Sequence, residues 1–211
     1  VRISLIGATG LLGSKLLNEL SSRGHEVTAI ARNSGKIPVL KGVTPVDVDA
    51  LDTQALADAI RGHDCVAASI SGKGQPDVFE GYLAVFHSLV KAVQQAGSPR
   101  LMMVGGAGSL KVESGADFVD TAEFPPPAKP GSRAVLKALQ ELRQGAGICW
   151  TMLSPSMFVP GSRTGRFRLG SDALLRDAQG KPSISLEDYA MAFADEIEKP
   201  QHINQRFTVG Y

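Results

Sequence analysis

Apolar residues along the chain alternate between two rhythms. Short unbroken apolar runs that bury both faces of a strand give way to segments with apolar positions three and four apart, as on a helix. Arg2 to Ile6 is the first such run, and Leu11, Leu12, Leu16, Leu17 and Leu20 then recur at helical spacing until Gly24 stops them. Glu26 to Ala31 and Val43 to Val48 read as the second and third strands, followed by a helix over Thr53 to Ile60 with Thr53 or Asp52 as its cap. Asp64 to Ile70 is a fourth strand. Phe79, Tyr82, Leu83, Phe86, Leu89, Val90 and Val93 mark a long helix ending at Gly97, with Leu101 to Val104 the fifth strand behind it. A helix over about Ser132 to Gln144 leads into a sixth strand, Cys149 to Leu153. Strands and helices in this alternation predict an α/β fold, a doubly wound parallel sheet with helices on both faces.

After Ser154 the rhythm changes. Pro155, Pro160 and the basic residues Arg163, Arg166, Arg168, Arg176 and Lys181 lie among turns before a helix over Leu186 to Ile197 and a last strand, Arg206 to Val209. The chain therefore reads as one domain over 1–211, with a core of about 1–154 and a small C-terminal annex of about 155–211 on the substrate side. Glu113 to Gly131 carries Phe124-Pro125-Pro126-Pro127 and Pro130 and is predicted to be a long irregular loop. It follows the fifth strand, so it is either a flap over the crevice at the strand ends or a plain connector.

Composition narrows the class. Of 211 residues 43% are hydrophobic and 20% charged, and mean hydropathy is +0.01, as expected of a globular domain. Lys and Arg number 22 against 21 Asp and Glu, so no global field draws the molecule to nucleic acid or to a membrane surface. Any anion must be held locally. The first residues show neither the apolar region nor the cleavage pattern of a signal peptide, and a cytoplasmic protein is expected. Cys65 and Cys149 lie in apolar runs and read as strand thiols, while His25, His63, His87 and His202 are scattered without zinc spacing.

Glycine is in excess, at 23 residues. Gly7-Ala8-Thr9-Gly10-Leu11-Leu12-Gly13 falls between the first strand and the first helix. Gly-x-x-Gly-x-x-Gly spacing there permits a tight turn, close approach of the backbone to a pyrophosphate, and tight helix packing. The amides and dipole of the helix start supply positive potential. Dinucleotide-binding folds carry an acid at the end of the second strand to bond the ribose 2′-hydroxyl. From Val27 to Val46 this chain has no acid, only Arg32, Lys36 and Lys41, which favours NADP(H) over NAD(H) through a bidentate contact of Arg32 with a 2′-phosphate. The alternative is a solvated basic loop. Topology adds Asp47 and Val48 at the adenine edge, and Ala68, Ser69 and Ile70 beside the pyrophosphate. Gly105, Gly106 and Gly108 close the fifth strand, either to make room for a ring or as a plain turn.

At these residues the chain resembles the short-chain dehydrogenase/reductase superfamily, in its atypical NmrA-like branch, and within it the small bacterial NAD(P)H-binding proteins named as NADH-flavin reductases. The resemblance covers essentially the whole chain and rests on the glycine turn, Val104-Gly105-Gly106-Ala107-Gly108-Ser109-Leu110, Trp150-Thr151-Met152-Leu153-Ser154-Pro155, Arg163-Thr164-Gly165, Leu169-Gly170 and Arg206-Phe207-Thr208-Val209-Gly210-Tyr211. It implies a Rossmann sheet in the order 3-2-1-4-5-6, a nicotinamide cofactor touched also by Ser154 and Pro155, and substrate under the annex. It also implies a Tyr-x-x-x-Lys pair in catalytic members, which Tyr82, Tyr189 and Tyr211 do not form. Arg133 stands where that tyrosine would be. Lys137 is left either to hold the nicotinamide ribose or to sit on the helix surface, and Ser109 is the nearest hydroxyl to the family's serine. The expected activity is hydride transfer from NADPH to a small-molecule acceptor such as a flavin (FMN or FAD) or a quinone, by positioning alone. Alternatives are a non-enzymatic NADP(H) sensor and, behind it, a nucleotide-sugar epimerase. The resemblance allows a homodimer through the Phe79 helix.

Overall fold

The computed structural model describes all 211 residues. The elements are β1 (Arg2–Ile6), α1 (Leu11–Ser22), β2 (Glu26–Ala31), β3 (Val43–Asp47), α2 (Thr53–Ile60), β4 (Cys65–Ala68), α3 (Val78–Gln95) and β5 (Arg100–Val104). They continue with α4 (Lys129–Gly145), β6 (Trp150–Pro155), β7 (Phe158–Val159), β8 (Arg168–Gly170), β9 (Ile184–Ser185), α5 (Leu186–Glu198) and β10 (Gln205–Gly210). Eight strands form one sheet in the order β3-β2-β1-β4-β5-β6-β10-β8. Every pairing in it is parallel except that of β8 with β10. This is the Rossmann arrangement, and no helix is long and apolar enough to cross a membrane.

Strand alternation builds two cores, because successive side chains point to opposite faces. Ile3, Leu5, Val27, Ala29, Cys65, Ala67, Met102 and Leu153 pack under α1 and α5. Ile6, Ile30, Val66, Ala68, Leu101, Met103, Trp150 and Met152 pack under α2, α3 and α4. Burial pushes the Cys65 thiol up to about 11.

The segment after 155 divides. Phe207 and Val209 enter the first core, β10 joins the sheet beside β6, and α5 lies along α1, so about 186–211 completes the main sheet. Of the residues between β6 and α5, β8 joins the edge of the main sheet beside β10, and the rest, with the β7–β9 pair, make a small lobe. That lobe meets the long segment after β5, which is irregular apart from short helical turns, as expected, but is packed. Phe118, Val119 and Phe124 are buried with Ala107 and covered by Met157 and Leu174. The ring of Phe118 meets that of Phe124 edge to face at 5.2 Å. The prolines do not break this segment because Pro126 opens a single helical turn and Pro130 falls in the first turn of α4, where a proline loses no hydrogen bond. Hence α4 starts at Lys129, three residues before the expected Ser132.

Candidate functional site

The carboxyl ends of β1, β2 and β4 are level, with Ile6 beside both Ile30 and Ala68. The glycine turn springs from this point. Gly7 adopts φ +82°, and its amide and that of Ala8 both donate to the Ile30 carbonyl, at 3.0 and 3.3 Å. A Cβ on Gly7 would lie 2.1 Å from the Ser69 carbonyl oxygen, and one on Gly13 would lie 2.0 Å from the Gly7 carbonyl oxygen. These two glycines therefore let β4 and α1 close on the turn. Gly10 donates to the Gly7 carbonyl, and beyond that atom its missing side chain leaves open space for a ligand. Asp52, Asp77 and Ser185 cap α2, α3 and α5, but α1 has no capping side chain and no acid in its first turn. Its first amides are free to hold an anion, so the turn fits a pyrophosphate.

Around the turn opens a cleft of about 210 Å³. Gly7, Thr9, Gly10, Arg32, Val48, Ser69 and Ile70, all expected there, line it. Arg32 is exposed and forms no ion pair or hydrogen bond within the protein. Asp47 does not line the cleft. Its Oδ1 accepts the Ser34 amide at 2.6 Å, which fixes the loop behind Arg32. Ala68 is wholly buried in the second core. Of the other turn residues, Ala8 and Leu12 are buried, and Leu11 is 76% exposed at the helix start. Sequence reasoning missed Asp49, Ala50, Leu51, Lys73, Gln75 and Val85, which also line the cleft. Asp49, next to the expected end of the third strand at Val48, could have been flagged from its place, whereas Lys73, Gln75 and Val85 reach the site through the β4–α3 loop and α3.

The β5 and β6 ends are arranged differently from expectation. A Cβ on Gly105 would meet Ser154 Oγ at 2.6 Å, one on Gly106 would approach Val135 at 3.4 Å, and one on Gly108 would meet Ser132 at 2.8 Å. Close packing against β6 and α4 accounts for Gly105 and Gly108, whereas a side chain at Gly106 would make only an ordinary contact with Val135. Ser109 is not poised for chemistry: its buried hydroxyl donates to the Gly106 carbonyl and accepts from Arg206 Nη1 at 2.9 Å. Arg206, from β10, also donates to the Ser109 carbonyl and pairs with Asp172. Burial lowers the pKa of this guanidinium against the pull of Asp172. Ser154 is buried beside it, and Pro155 pairs with Val209 in the sheet. Lys137 is on the outer face of α4, 3.7 Å from Glu141, which also holds His87 at 2.8 Å. The lysine thus lies on the outer surface between α3 and α4. Arg133 donates to Asp120 at 2.7 Å and pins the proline-rich segment to α4.

None of the three tyrosines is both exposed and unpaired. Tyr189 is buried and donates to the Leu153 carbonyl at 2.7 Å. Tyr211 donates to Asp188 at 2.7 Å. Burial raises the pKa of Tyr82, whose hydroxyl has no partner.

Two buried carboxylates strap the 160–167 segment down. Asp188 accepts the amides of Thr164 and Gly165 at 2.8 and 2.9 Å, while Glu19 accepts Arg163 and Arg23. Burial alone would raise both carboxyls, but these hydrogen bonds outweigh it and hold both below their ordinary values.

A doubly wound sheet carrying an uncapped glycine turn at its topological switch point defines a Rossmann-type dinucleotide-binding protein. The chain belongs to the NAD(P)H-binding family, whose model matches residues 7–200. The uncharacterized protein YwnB of Bacillus subtilis is 37% identical over 214 residues, covering 99% of this chain and 98% of that protein. A crystal structure described as a "putative epimerase" from Bacteroides thetaiotaomicron has 37% identity and a TM-score of 0.92, covering 100% of this chain and 96% of its own. One described as a "putative NADH-flavin reductase" from Streptococcus pneumoniae has 30% identity and a TM-score of 0.84, covering 99% and 98%. The NmrA-like resemblance of the sequence holds, and the protein is an NAD(P)-binding Rossmann protein of oxidoreductase type.

Proposed function

We propose that the protein is a reductase that binds NADPH in preference to NADH and passes hydride to a flavin, quinone or similarly flat acceptor by alignment, without a Tyr-x-x-x-Lys pair. One observation carries this reading: the residues at the positions where relatives keep a catalytic serine, tyrosine and lysine are engaged with other groups of the protein. Ser109 is held by Arg206, Arg133 by Asp120 and Lys137 by Glu141, as is Tyr189 by the Leu153 carbonyl. A reaction that needs only two carriers in register suits such a site, because the nicotinamide, when bound, supplies the hydride.

The chain's own task is to hold and to exclude. The glycine turn and the first amides of α1 suit the pyrophosphate, and the unpaired Arg32 suits a 2′-phosphate at the adenosine end. Asp49, the one carboxylate lining the cleft, accepts the Leu51 amide at 3.0 Å, which ties it to the turn before α2. Leu11, Val78 and Phe158 stand exposed at the starts of α1 and α3 and just past β6, all at the carboxyl edge of the sheet, and on this reading they offer apolar surface to a flat ring. The name of the Streptococcus pneumoniae protein supports the flavin as acceptor.

The same engagement of those residues also suits a sensor that binds NADP(H) without turnover. Stopped-flow loss of NADPH absorbance with FMN, with a quinone and with no acceptor separates the two. Faster oxidation with either acceptor supports the reductase. Oxidation no faster than the uncatalysed blank, despite tight NADPH binding, leaves the sensor.

A further inference from the structure

We infer that Lys73 is the cation that holds the dinucleotide pyrophosphate from the β4 side of the cleft, dividing phosphate recognition with Arg32 on the β2 side. The inference rests on the dinucleotide site itself and is independent of the choice between NADP(H) and NAD(H).

Strand order sets the geometry. β1, which carries the glycine turn, lies between β2 and β4. Arg32 immediately follows β2, and Lys73 lies five residues past the end of β4. Neighbouring strands are about 4.8 Å apart, so the two cations flank the turn at separations their long side chains can span. They are the two basic residues that line the cleft, and neither has a carboxylate within 4 Å.

The loop bearing Lys73 is shaped rather than loose. A Cβ on Gly72 would lie 2.0 Å from the Val78 carbonyl oxygen, and the Gln75 amide donates to the Gly72 carbonyl at 3.2 Å. Gly74 takes φ +87°. A Cβ on Gly81 would lie 2.5 Å from the Gln75 side chain, which packs that end of the turn onto α3. Lys73 thus projects from a tight glycine-flanked turn whose first residue, Ser69, abuts Gly7.

The pyrophosphate has no competing cation. Residues 7–13 contain no basic side chain, and Lys15, the first on α1, is engaged by Glu187 at 2.8 Å. A ribose 2′-substituent lies on the β2 side of such folds, where Arg32 is. A pyrophosphate lies over the turn, which the β4 loop touches. A lysine suits that place because its compact charge on a flexible stem can follow either phosphate.

The test is binding of NADPH, NADH and ADP-ribose, followed by titration calorimetry, to Lys73→Ala, Lys73→Arg and Arg32→Ala. Lys73→Ala is expected to weaken all three ligands by the same factor, about tenfold for one charge-assisted hydrogen bond, with Lys73→Arg restoring most of it. Because Lys73 is exposed, thermal unfolding should not move. Unchanged affinity for all three ligands overturns the inference. So does a loss confined to NADPH, which would put Lys73 on a 2′-phosphate. Should Arg32→Ala leave the NADPH to NADH ratio unchanged, the NADPH preference fails while the assignment of Lys73 stands or falls on its own arm.

Discussion

Gly13→Ala is the sharpest test of how the glycine turn works. Gly13 is in the first turn of α1, where alanine has the better helix propensity by about 1 kcal/mol. Local preference therefore favours the variant, and any loss must come from packing. The added methyl would lie 2.0 Å from the Gly7 carbonyl oxygen and 2.9 Å from its carbon, both backbone atoms that cannot rotate away. Ordinary contact begins at 3.4 Å, so helix and turn must part by about 1.4 Å. That shift moves the first amides of α1 away from the turn that shares the pyrophosphate with them. Losing the amide hydrogen bonds to a charged pyrophosphate costs about 1.5 to 3 kcal/mol, a fall in affinity of about ten- to a hundredfold. The assay is NADPH titration followed by nicotinamide fluorescence, with far-ultraviolet circular dichroism to show that the helices remain. An affinity within about twofold of wild type would refute the account, since it would mean that the contact between Gly13 and Gly7 does not set the turn.

Other consequences are open to measurement. Arg32→Ala should lower NADPH affinity by tenfold or more, at about 1.4 kcal/mol per factor of ten, with NADH affinity little changed. Arg206→Leu removes the anchor of Ser109 and leaves Asp172 without its main partner; Asp172 is half-exposed, so the expected cost is about 2 to 3 kcal/mol, read as a lower urea midpoint at unchanged slope. Glu19 and Asp188 titrate below their ordinary values when folded, so their stabilisation is complete above the unfolded values and is lost as pH falls through the folded ones. Thermal unfolding from pH 7 to pH 3 should show that loss, and Glu19→Gln should flatten it; an unchanged slope would mean that the strap at Arg163 does not depend on the carboxylate. Lys137→Ala should leave cofactor affinity at the wild-type value, because the side chain reaches only Glu141.

How much of this could be read from the chain depends on how local each feature is. Strands β1, β2, β4, β5 and β6 are legible because burial demands apolar runs, the half-exposed edge strand β3 only from its place in the alternation, and the glycine turn because its three glycines act on one another within seven residues. Lys73 and Arg206 are not legible. One gains its meaning from β4 lying beside β1, the other from a serine 97 residues away, and both look like ordinary surface cations in sequence.

The proline-rich segment misleads for a related reason. Four prolines suggest an open flap, yet what a proline does depends on its place in a turn, and Pro126 and Pro130 stand where helices start. The burial of Phe118, Val119 and Phe124 then makes a small core of the supposed flap. Arg133, in the position of the missing tyrosine, is what ties that core to α4 through Asp120. The residue at the position of a proton-transferring tyrosine is here held in a half-exposed ion pair instead. On the proposed reading the acceptor therefore meets a fixed wall and an apolar rim. Selection among acceptors should accordingly follow ring shape and stacking at Leu11, Val78 and Phe158 rather than the pKa of the group reduced.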